Sequence, residues 1–518
     1  MKKKEYYMHK KLKRVCSLAV LLAMLTQIAA CSNTGVSGTK ETTAETKSAT
    51  ADNTEITEAT EEDTKLCPNL PSDLKFDGEE VRIMQHPAGG GDWAEWLSRD
   101  LYAESITGEP INDAVFERNS YVEDKLDVKL NVSDVPDMAK SIQQQASAGT
   151  GDYHISTARI NSLTATVTGG YLRNLYDVPY MDLTQPWYDA NCIADASFYD
   201  MLFYVTGSMI ILDDDSTGAI VFNKQLINDF NLESPYKFVQ EGTWTLDKFS
   251  EYAQTVANDL NGNGKVDLEG DRFGILWQRD AIISFLHAGG SRIVSKNSDG
   301  EPEFVLDNEN TINLMDKLDS FIFEPRVAQN MHNYYNVYPD ISATECNVFK
   351  NNNALFMWIR MRVAENLRDM EADFGIIPVP KFKEEQDIYY STVNKHTCAT
   401  ICIPNDASLN MDLIGAVIEL MSAEGHYGLR DAYYEKNLGA KIARDPESTE
   451  MLDIIMSYRV YDTGEIYNIG GLADKLYSLS MGSKIGIATL LAKNQKVMNV
   501  TLEKSFVKPM KELAEKLK

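Results

Sequence analysis

The chain has 518 residues, 43% of them hydrophobic and 25% charged, which is enough for two globular domains with proper cores. Its 77 acidic and 50 basic residues give a net charge of −27. Because nucleic acids and anionic lipid surfaces require a basic face, this charge excludes them as expected partners. The seven cysteines show neither a disulfide framework nor a C-x-x-C pair.

The first 30 residues have the pattern of a secretory signal. A basic start is followed by an apolar stretch over residues 15–30, which ends in Ile28-Ala29-Ala30-Cys31. A cysteine after small residues resembles a bacterial lipobox, in which Cys31 takes the lipid and becomes the mature N-terminus. The sequence therefore predicts a lipoprotein signal peptide over 1–30 and a lipid anchor on the extracellular face of the cytoplasmic membrane. The alternative is an ordinary signal peptide with a chance cysteine.

Residues 31–74 are predicted to form a lipidated, disordered linker. This stretch is dominated by threonine, glutamate, alanine and serine up to residue 66. Such a composition buries too little apolar surface to offset the entropy lost on ordering. Repulsion between its acidic side chains extends it, so the linker would lift the globular part off the membrane.

The chain then alternates strand and helix patterns. Residues 80–86 and 127–133 alternate apolar and polar positions, as strands do, and a helix is predicted between them over 111–126. A second helix precedes a short strand at 153–155. This β-α-β-α-β order predicts an α/β fold with a doubly wound, mostly parallel sheet, whose ligands bind at the carboxyl ends of the strands.

A second run of the same kind occupies the middle of the chain. Residues 219–227 change from strand to helix, a helix begins near Thr245, and 373–380 form a buried strand stopped by prolines. Residues 409–518 are predicted to be mainly helical.

An acidic, glycine-containing loop at 259–271 follows the order of oxygen ligands in an EF-hand. The predicted ligands are Asp259, Asn261, Asn263, the carbonyl of Lys265, and Asp267. The twelfth position, normally acidic, is Gly270. The loop therefore predicts either a structural Ca²⁺ site or a metal-free turn, with no other cofactor required.

The order of motifs from about residue 80 to 471 resembles that of extracellular solute-binding proteins of ABC importers. The resemblance is to the carbohydrate-type, family 1-like lipoproteins of Gram-positive bacteria. The motifs are GEPINDAVFERN (108–119), YMDLTQPWYD (180–189), DDDSTGAIVFNKQLI (213–227), GTWTLDKF (242–249), DLNGNGKVD (259–267), VFKNNNALFMW (348–358), DFGIIPVPKF (373–382) and the stretch 433–471.

This resemblance implies a two-lobe, periplasmic-binding-protein-like fold, type II-like, with a ligand cleft between the lobes. Lobe 1 would comprise 75–217 plus 345–395, and lobe 2 would comprise 218–344 plus 396–518. The chain would cross between them near 215–219, 344 and 394. A monomer would bind a carbohydrate, most simply an oligosaccharide, and deliver it to the ABC permease without covalent chemistry.

The predicted ligand contacts are side chains that stack on sugar rings or bond to hydroxyls. They are Trp93, Trp187, Trp277, Trp358, Asp214, Thr217 and Arg360, with His86 and Asn394 as further contacts at strand ends. The alternative is that the tryptophans pack in cores, that the acidic run at 213–215 is a solvated loop, and that Arg360 forms a salt bridge. Overall acidity disfavours polyanionic ligands unless a local basic pocket exists.

Two other functions stay open. A secreted lipoprotein glycoside hydrolase would act on the same sugars with a carboxylate pair. A surface adhesin or scaffold would use the two lobes without closing on small ligands. The sequence contains no GxSxG, HExxH, P-loop or GxGxxG motif, so it offers no enzyme signature of these kinds.

Overall fold

The computed structural model describes residues 65–86, 98–338, 340–437, 446–482 and 486–517. The predicted signal peptide, Cys31, most of the linker and Trp93 lie outside the described residues.

A small parallel sheet forms the N-terminal part of the fold. Its elements in chain order are β1 (Glu79–Gln85), α1 (Pro110–Leu126), β2 (Val128–Asp134), α2 (Met138–Ala148) and β3 (Ile155–Ser156). Strand β1 is central and runs parallel to both neighbours. The predicted β-α-β-α-β unit is therefore confirmed.

Local sequence signals set the limits of α1. The Glu109 carboxylate accepts a hydrogen bond from the Asn112 amide at 2.6 Å, and Pro110 occupies the first turn. Val115 and Val122 are fully buried on one face. Asp127 ends the helix in the left-handed conformation, with φ of 49°, and β2 starts at the next residue.

A larger, mixed sheet forms the second part. Its strands are β4 (Gly218–Asn223), β5 (Asn258–Asp259), β6 (Asp271–Trp277), β9 (Ala328–Asn330), β10 (Ala354–Arg360) and β11 (Phe374–Ile377). The order is β11-β4-β10-β6-β5, with β9 also paired to β6. Two short pairs lie apart: β7 (Val294–Lys296) with β8 (Pro302–Phe304), and β12 (Ser391–Thr392) with β13 (Arg459–Val460).

The direction of β4 differs from the mostly parallel sheet predicted for each lobe. Strand β4 runs antiparallel to both β10 and β11, while β10, β6 and β9 run parallel. The first residue of β4, Gly218, pairs with Arg360, the last residue of β10. The chain thus enters this sheet at the edge where its parallel strands end, so β4 must run the opposite way.

Helices cover both sheets. They are α3 (Thr164–Thr168), α4 (Ala190–Ala196), α5 (Leu212–Asp215), α6 (Lys224–Asp229), α7 (Pro235–Glu241), α8 (Leu246–Val256), α9 (Ala281–Ala288), α10 (Glu309–Ile322), α11 (Ile341–Lys350), α12 (Met411–Tyr427), α13 (Leu429–Asn437), α14 (Pro446–Ser457), α15 (Thr463–Ile466), α16 (Leu472–Ser480), α17 (Ile487–Leu502) and α18 (Lys508–Leu517). None of the described helices is long and apolar enough to cross a bilayer.

Close packing of α8 on the large sheet depends on Gly274 in β6. A Cβ atom at Gly274 would lie 2.3 Å from the carbonyl oxygen of Ala253 in α8. Only glycine allows this approach. Phe249 on the same helix packs 4.8 Å from the ring of Phe356 in β10, so α8 and the sheet share one core.

The predicted division of the chain into lobes needs correction. The prediction placed 345–395 with 75–217, but β10 and β11 lie within 345–395 and pair with β4 in the large sheet. Residues 399–404 instead run beside the small sheet, where Cys402 bridges to Ser156. These partners are distant in sequence, so local periodicity carried no information about them.

The crossings between the two sheets also differ in part from the prediction. Thr217 bridges to Val393, so segments near 215–219 and 394 run side by side between the sheets. The third predicted crossing, near Thr344, lies inside α11, which packs on β10. Helices α12 and α13 pack on α1, whereas α14 packs on β11, so the chain passes between the sheets after Asn437.

Candidate functional site

Polar side chains converge where the strands of both sheets end. The group, here called the cleft cluster, consists of Asn161, Arg279, Asp280, His332, Arg360, Asn394, Lys395, His396 and Tyr477. Residues following β6, β9 and β10 come from the carboxyl edge of the large sheet, and those following β3 come from the small sheet. In open α/β folds this edge is the usual position of a ligand site.

Hydrogen bonds join the two sheets to the crossing segment. The Asn394 amide donates to Asp280 Oδ2 at 2.8 Å, which ties the crossing segment to the end of β6. Asn161, beyond β3, lies 3.1 Å from Nδ1 of His396, which is two residues after Asn394. The cluster therefore includes groups from both parts of the fold.

Asp280 is the ionised carboxylate at the centre of the cluster. Burial opposes its ionisation, but the charge of Arg360 holds the pKa of Asp280 below its usual value. Arg360 Nη1 lies 4.0 Å from Asp280 Oδ2. This is the salt bridge expected for Arg360 as the alternative to a ligand contact.

Two histidines of the cluster are uncharged at neutral pH. Burial lowers the pKa of His396 to about 4, assisted by the positive charges of Lys395, Arg279 and Arg360. Burial also lowers the pKa of His332, and Arg279 and Arg360 lower it further. Neutral imidazoles both donate and accept hydrogen bonds, which suits them to ligand hydroxyl groups.

Tyr477 supplies an aromatic face to the cluster. The Arg279 guanidinium lies 6.0 Å from the centre of the Tyr477 ring and the Lys395 ammonium 5.8 Å from it. The Tyr477 hydroxyl donates to Glu465 Oε1 at 3.1 Å. Burial raises the pKa of Glu465 to about 7.

A second buried acid lies behind the cluster. Gln278 Nε2 donates to Glu345 Oε2 at 2.7 Å, and burial raises the pKa of Glu345 to about 8. Glu345 is therefore mainly protonated at neutral pH, so it adds little negative charge beside Arg360.

The predicted contacts Asp214 and Thr217 lie at the crossing between the sheets. Asp214 is 2.5 Å from Arg459 Nη1, and Thr217 is fully buried and donates its hydroxyl to the carbonyl of Asp213 at 2.9 Å. The acidic run at 213–215 is buried, so it is not a solvated loop. The arrangement ties the crossing segment to β13.

Three of the predicted tryptophans are enclosed. Trp187 has no exposed surface and packs in the core with α12. Trp358 is 2% exposed and lies against Gly218: a Cβ atom added to this glycine would be 3.4 Å from Nε1 of Trp358. Trp277 has no solvent exposure and packs 6.0 Å from the ring of Phe323. Their contact with a ligand stays a prediction.

A cavity of about 480 Å³ adjoins the cluster on the large-sheet side. Trp277, Phe323 and Met481 form part of its apolar wall, and Asn330, the last residue of β9, supplies a polar group. Asn330 Nδ2 donates to the carbonyl of Ser480 at 2.8 Å. The cavity lies next to His332, so the two features share one edge of the sheet.

The predicted calcium loop forms a tight turn between β5 and β6. Asp259 accepts hydrogen bonds from the amides of Gly262 and Gly264 at 2.7 and 2.8 Å, and Asp267 Oδ2 accepts from both Asn261 and Asn263 at 3.2 Å.

A cationic side chain lies against this loop. Arg326 donates to the carbonyl of Gly264 at 2.8 Å and lies 3.6 Å from Asp259. No group of three or more His, Cys, Asp or Glu side chains that could hold a metal occurs in the described part of the chain. The loop has only two such carboxylates among its five predicted ligands, so calcium binding stays a prediction.

Sequence reasoning found part of the cluster and missed the rest. Asn394 was identified because it ends a predicted strand, and Arg360 because it lies two residues beyond Trp358. Arg279 and Asp280 carry the same signal, since they follow the strand that ends at Trp277, and could have been found. His332, His396 and Tyr477 show no such signal, because the tertiary fold alone brings them together.

Comparison with solved structures identifies the architecture. An ABC substrate-binding protein of Listeria monocytogenes, solved with cycloalternan, matches with a TM-score of 0.53 at 12% identity, over 82% of this chain and 99% of that one. A cyclo/maltodextrin-binding protein solved with maltotetraose matches with a TM-score of 0.55 at 13% identity, over 83% and 99%. The chain has the two-lobe fold of ABC substrate-binding proteins.

A third match supports the same fold. The maltose/maltodextrin-binding domain of Bdellovibrio bacteriovorus, bound to maltotriose, matches with a TM-score of 0.52 at 15% identity, over 82% of this chain and 100% of that one. No family model matches the sequence, and no curated protein matches it. The resemblance inferred from the motifs is thus confirmed at the level of fold.

Proposed function

We propose that this protein is an extracellular receptor that binds a carbohydrate, most simply an oligosaccharide, between its two lobes and delivers it to an ABC permease. The observation that carries the proposal is the structural match, which spans nearly the whole of three sugar-binding proteins. The cleft cluster supports it, because neutral amides and imidazoles at the strand ends suit the hydroxyl groups of a sugar.

Binding without catalysis is part of this proposal. The three similar structures are described as binding proteins or domains, and no observation favours the glycoside hydrolase. We further propose that Cys31 carries the lipid that holds the protein at the outer face of the membrane, and that the 259–267 loop takes a structural Ca²⁺. The sequence patterns at these two positions support both statements.

Thermal denaturation with a panel of mono- and oligosaccharides tests the proposal. A ligand that binds only the folded state raises the melting midpoint, by about 2.7 kcal/mol of stability at a hundredfold excess over its Kd. We expect one class of oligosaccharide to raise it and to be recovered chemically unchanged by mass spectrometry. Recovery of cleaved sugar would instead support the hydrolase, and no shift with any sugar would contradict the carbohydrate assignment.

A further inference from the structure

The cleft cluster has an excess of positive charge in an otherwise acidic protein. Its cationic side chains are Arg279, Arg360 and Lys395. Among the described residues of the cluster, Asp280 is the one carboxylate. Burial raises the pKa of Glu345 to about 8, so this neighbouring acid is mainly protonated at neutral pH, whereas Glu465, with a pKa raised to about 7, carries only part of a negative charge. The chain as a whole carries −27.

Arg279 is the most accessible of these cations. It is exposed, lies two residues after the end of β6, and its guanidinium lies over the face of Tyr477. No ion pair joins Arg279 to a carboxylate in the described part of the chain. Its neighbours His332 and His396 experience its charge, since it lowers the pKa of both.

Positive charge also comes from the small sheet. Arg159 lies just beyond β3. Burial of His86, which follows β1, lowers the pKa of this histidine to about 4, and the positive charge of Arg159 is the second cause. The small sheet therefore has a guanidinium beside His86, and it contributes Asn161 to the cluster itself.

The chemistry of these groups specifies a ligand class. A guanidinium presents its N–H groups as a planar fork that matches a carboxylate, whereas neutral sugars need only hydroxyl partners. Asn161 and the two neutral histidines can serve the hydroxyl groups. We infer that the ligand is an anionic oligosaccharide built from uronic acid residues, whose carboxylates bind Arg279. This inference rests on the proposed carbohydrate function and narrows it.

A matched set of ligands separates charge from shape. The probes are tetramers of galacturonate, mannuronate and glucuronate, each paired with its carboxyl-reduced counterpart, together with maltotetraose. Calorimetric titration gives the Kd of each. We expect a uronate tetramer to bind at least about tenfold more tightly than its reduced counterpart, a difference of about 1.4 kcal/mol. We also expect its binding to weaken as salt concentration rises.

A pair of variants assigns the charge to a residue. Arg279→Gln removes the exposed guanidinium, and Arg272→Gln is its control, because Arg272 lies near the other end of β6 and packs over Phe230. We expect Arg279→Gln to weaken uronate binding about tenfold or more and to reduce its salt dependence, with the control unchanged. Melting midpoints without ligand check that both variants fold.

Each remaining outcome has a definite meaning. Equal or tighter binding of the reduced tetramers or maltotetraose overturns the charge inference and leaves the receptor function intact. Binding of none of the oligosaccharides overturns both. Uronate binding that is equally strong in the Arg279 and Arg272 variants overturns the assignment to Arg279.

Discussion

At the scale of single residues, Arg459 shows how far side-chain contacts depart from sequence order. Its guanidinium lies 2.8 Å from Asp189, 3.2 Å from Asp213 and 2.5 Å from Asp214. The three aspartates are buried, and the Arg459 side chain is 9% exposed. Three buried carboxylates around one cation are stable only while that cation is present.

Replacing Arg459 is therefore expected to destabilise the protein strongly. Arg459→Met should lower the free energy of unfolding by about 3–5 kcal/mol, because it leaves buried carboxylates without their partner. Urea denaturation followed by circular dichroism measures the change. The control is Lys237→Met, which breaks an exposed pair with Glu233 and should cost under about 1 kcal/mol. Equal losses of stability in the two variants would contradict a stabilising role of Arg459 for the three aspartates.

Glu345 predicts a pH dependence of stability. Burial raises its pKa from the ordinary 4.5 to about 8, so the folded state holds a proton that the unfolded state releases. Its contribution to stability is complete below about pH 4.5 and is lost as pH rises towards 8. Glu345→Gln mimics the protonated form, so we expect the variant to gain stability relative to wild type as pH rises from 5 to about 8. Melting curves of both proteins over this pH range measure the difference. A difference in stability that does not change with pH would contradict the raised pKa of Glu345.

What the sequence could predict at this scale depended on distance along the chain. Arg360 was located by its position two residues beyond Trp358, and Asn394 by the end of a predicted strand, so local patterns located both. A solvated loop was the alternative expectation for the acidic run 213–215, because runs of acidic residues are usually solvated. Its partner Arg459 lies 245 residues after Asp214. The enclosure of Trp187 and Trp277 likewise depends on helices that pack from elsewhere in the chain.

At the scale of elements, the loop between β5 and β6 gives a test of the calcium proposal. If Ca²⁺ binds there, 1–5 mM Ca²⁺ should raise the melting midpoint by mass action, and EGTA should reverse the rise. Asp267→Ala removes a predicted ligand and should abolish the response. Asp299→Ala, in the turn between β7 and β8, is the matched control. A midpoint that ignores Ca²⁺ in the unaltered protein would identify the loop as a metal-free turn.

The positions of strands and helices along the chain were predicted better than the strands with which they pair. Alternation located β1 and β2, and apolar spacing located α1, because these signals are local. The sequence could not show that β4 runs antiparallel, since direction follows from where the chain enters the sheet. It also could not assign 345–395, because the strands there pair with residues more than 130 positions earlier.

At the scale of the whole molecule, ligand binding should bring the two lobes together. Segments near Thr217 and Val393 cross side by side between the sheets, which provides a hinge for such a motion. We expect small-angle scattering to show a smaller radius of gyration with a saturating oligosaccharide than without it. A non-binding sugar is the control. An unchanged radius with a ligand that demonstrably binds would contradict closure and favour a rigid scaffold.

The bridge between Ser156 and Cys402 has a consequence for biosynthesis. The two residues are 246 positions apart, and between them lies nearly all of the large sheet. During N-to-C synthesis β3 can pair with β1 early, but its other edge lacks a neighbour until most of the polypeptide has been made. Unpaired strand edges promote aggregation, and contacts of such long range form slowly. Completion of the small sheet must thus wait for the C-terminal quarter of the chain, so slow folding and aggregation of incomplete chains are expected to limit the yield of this protein.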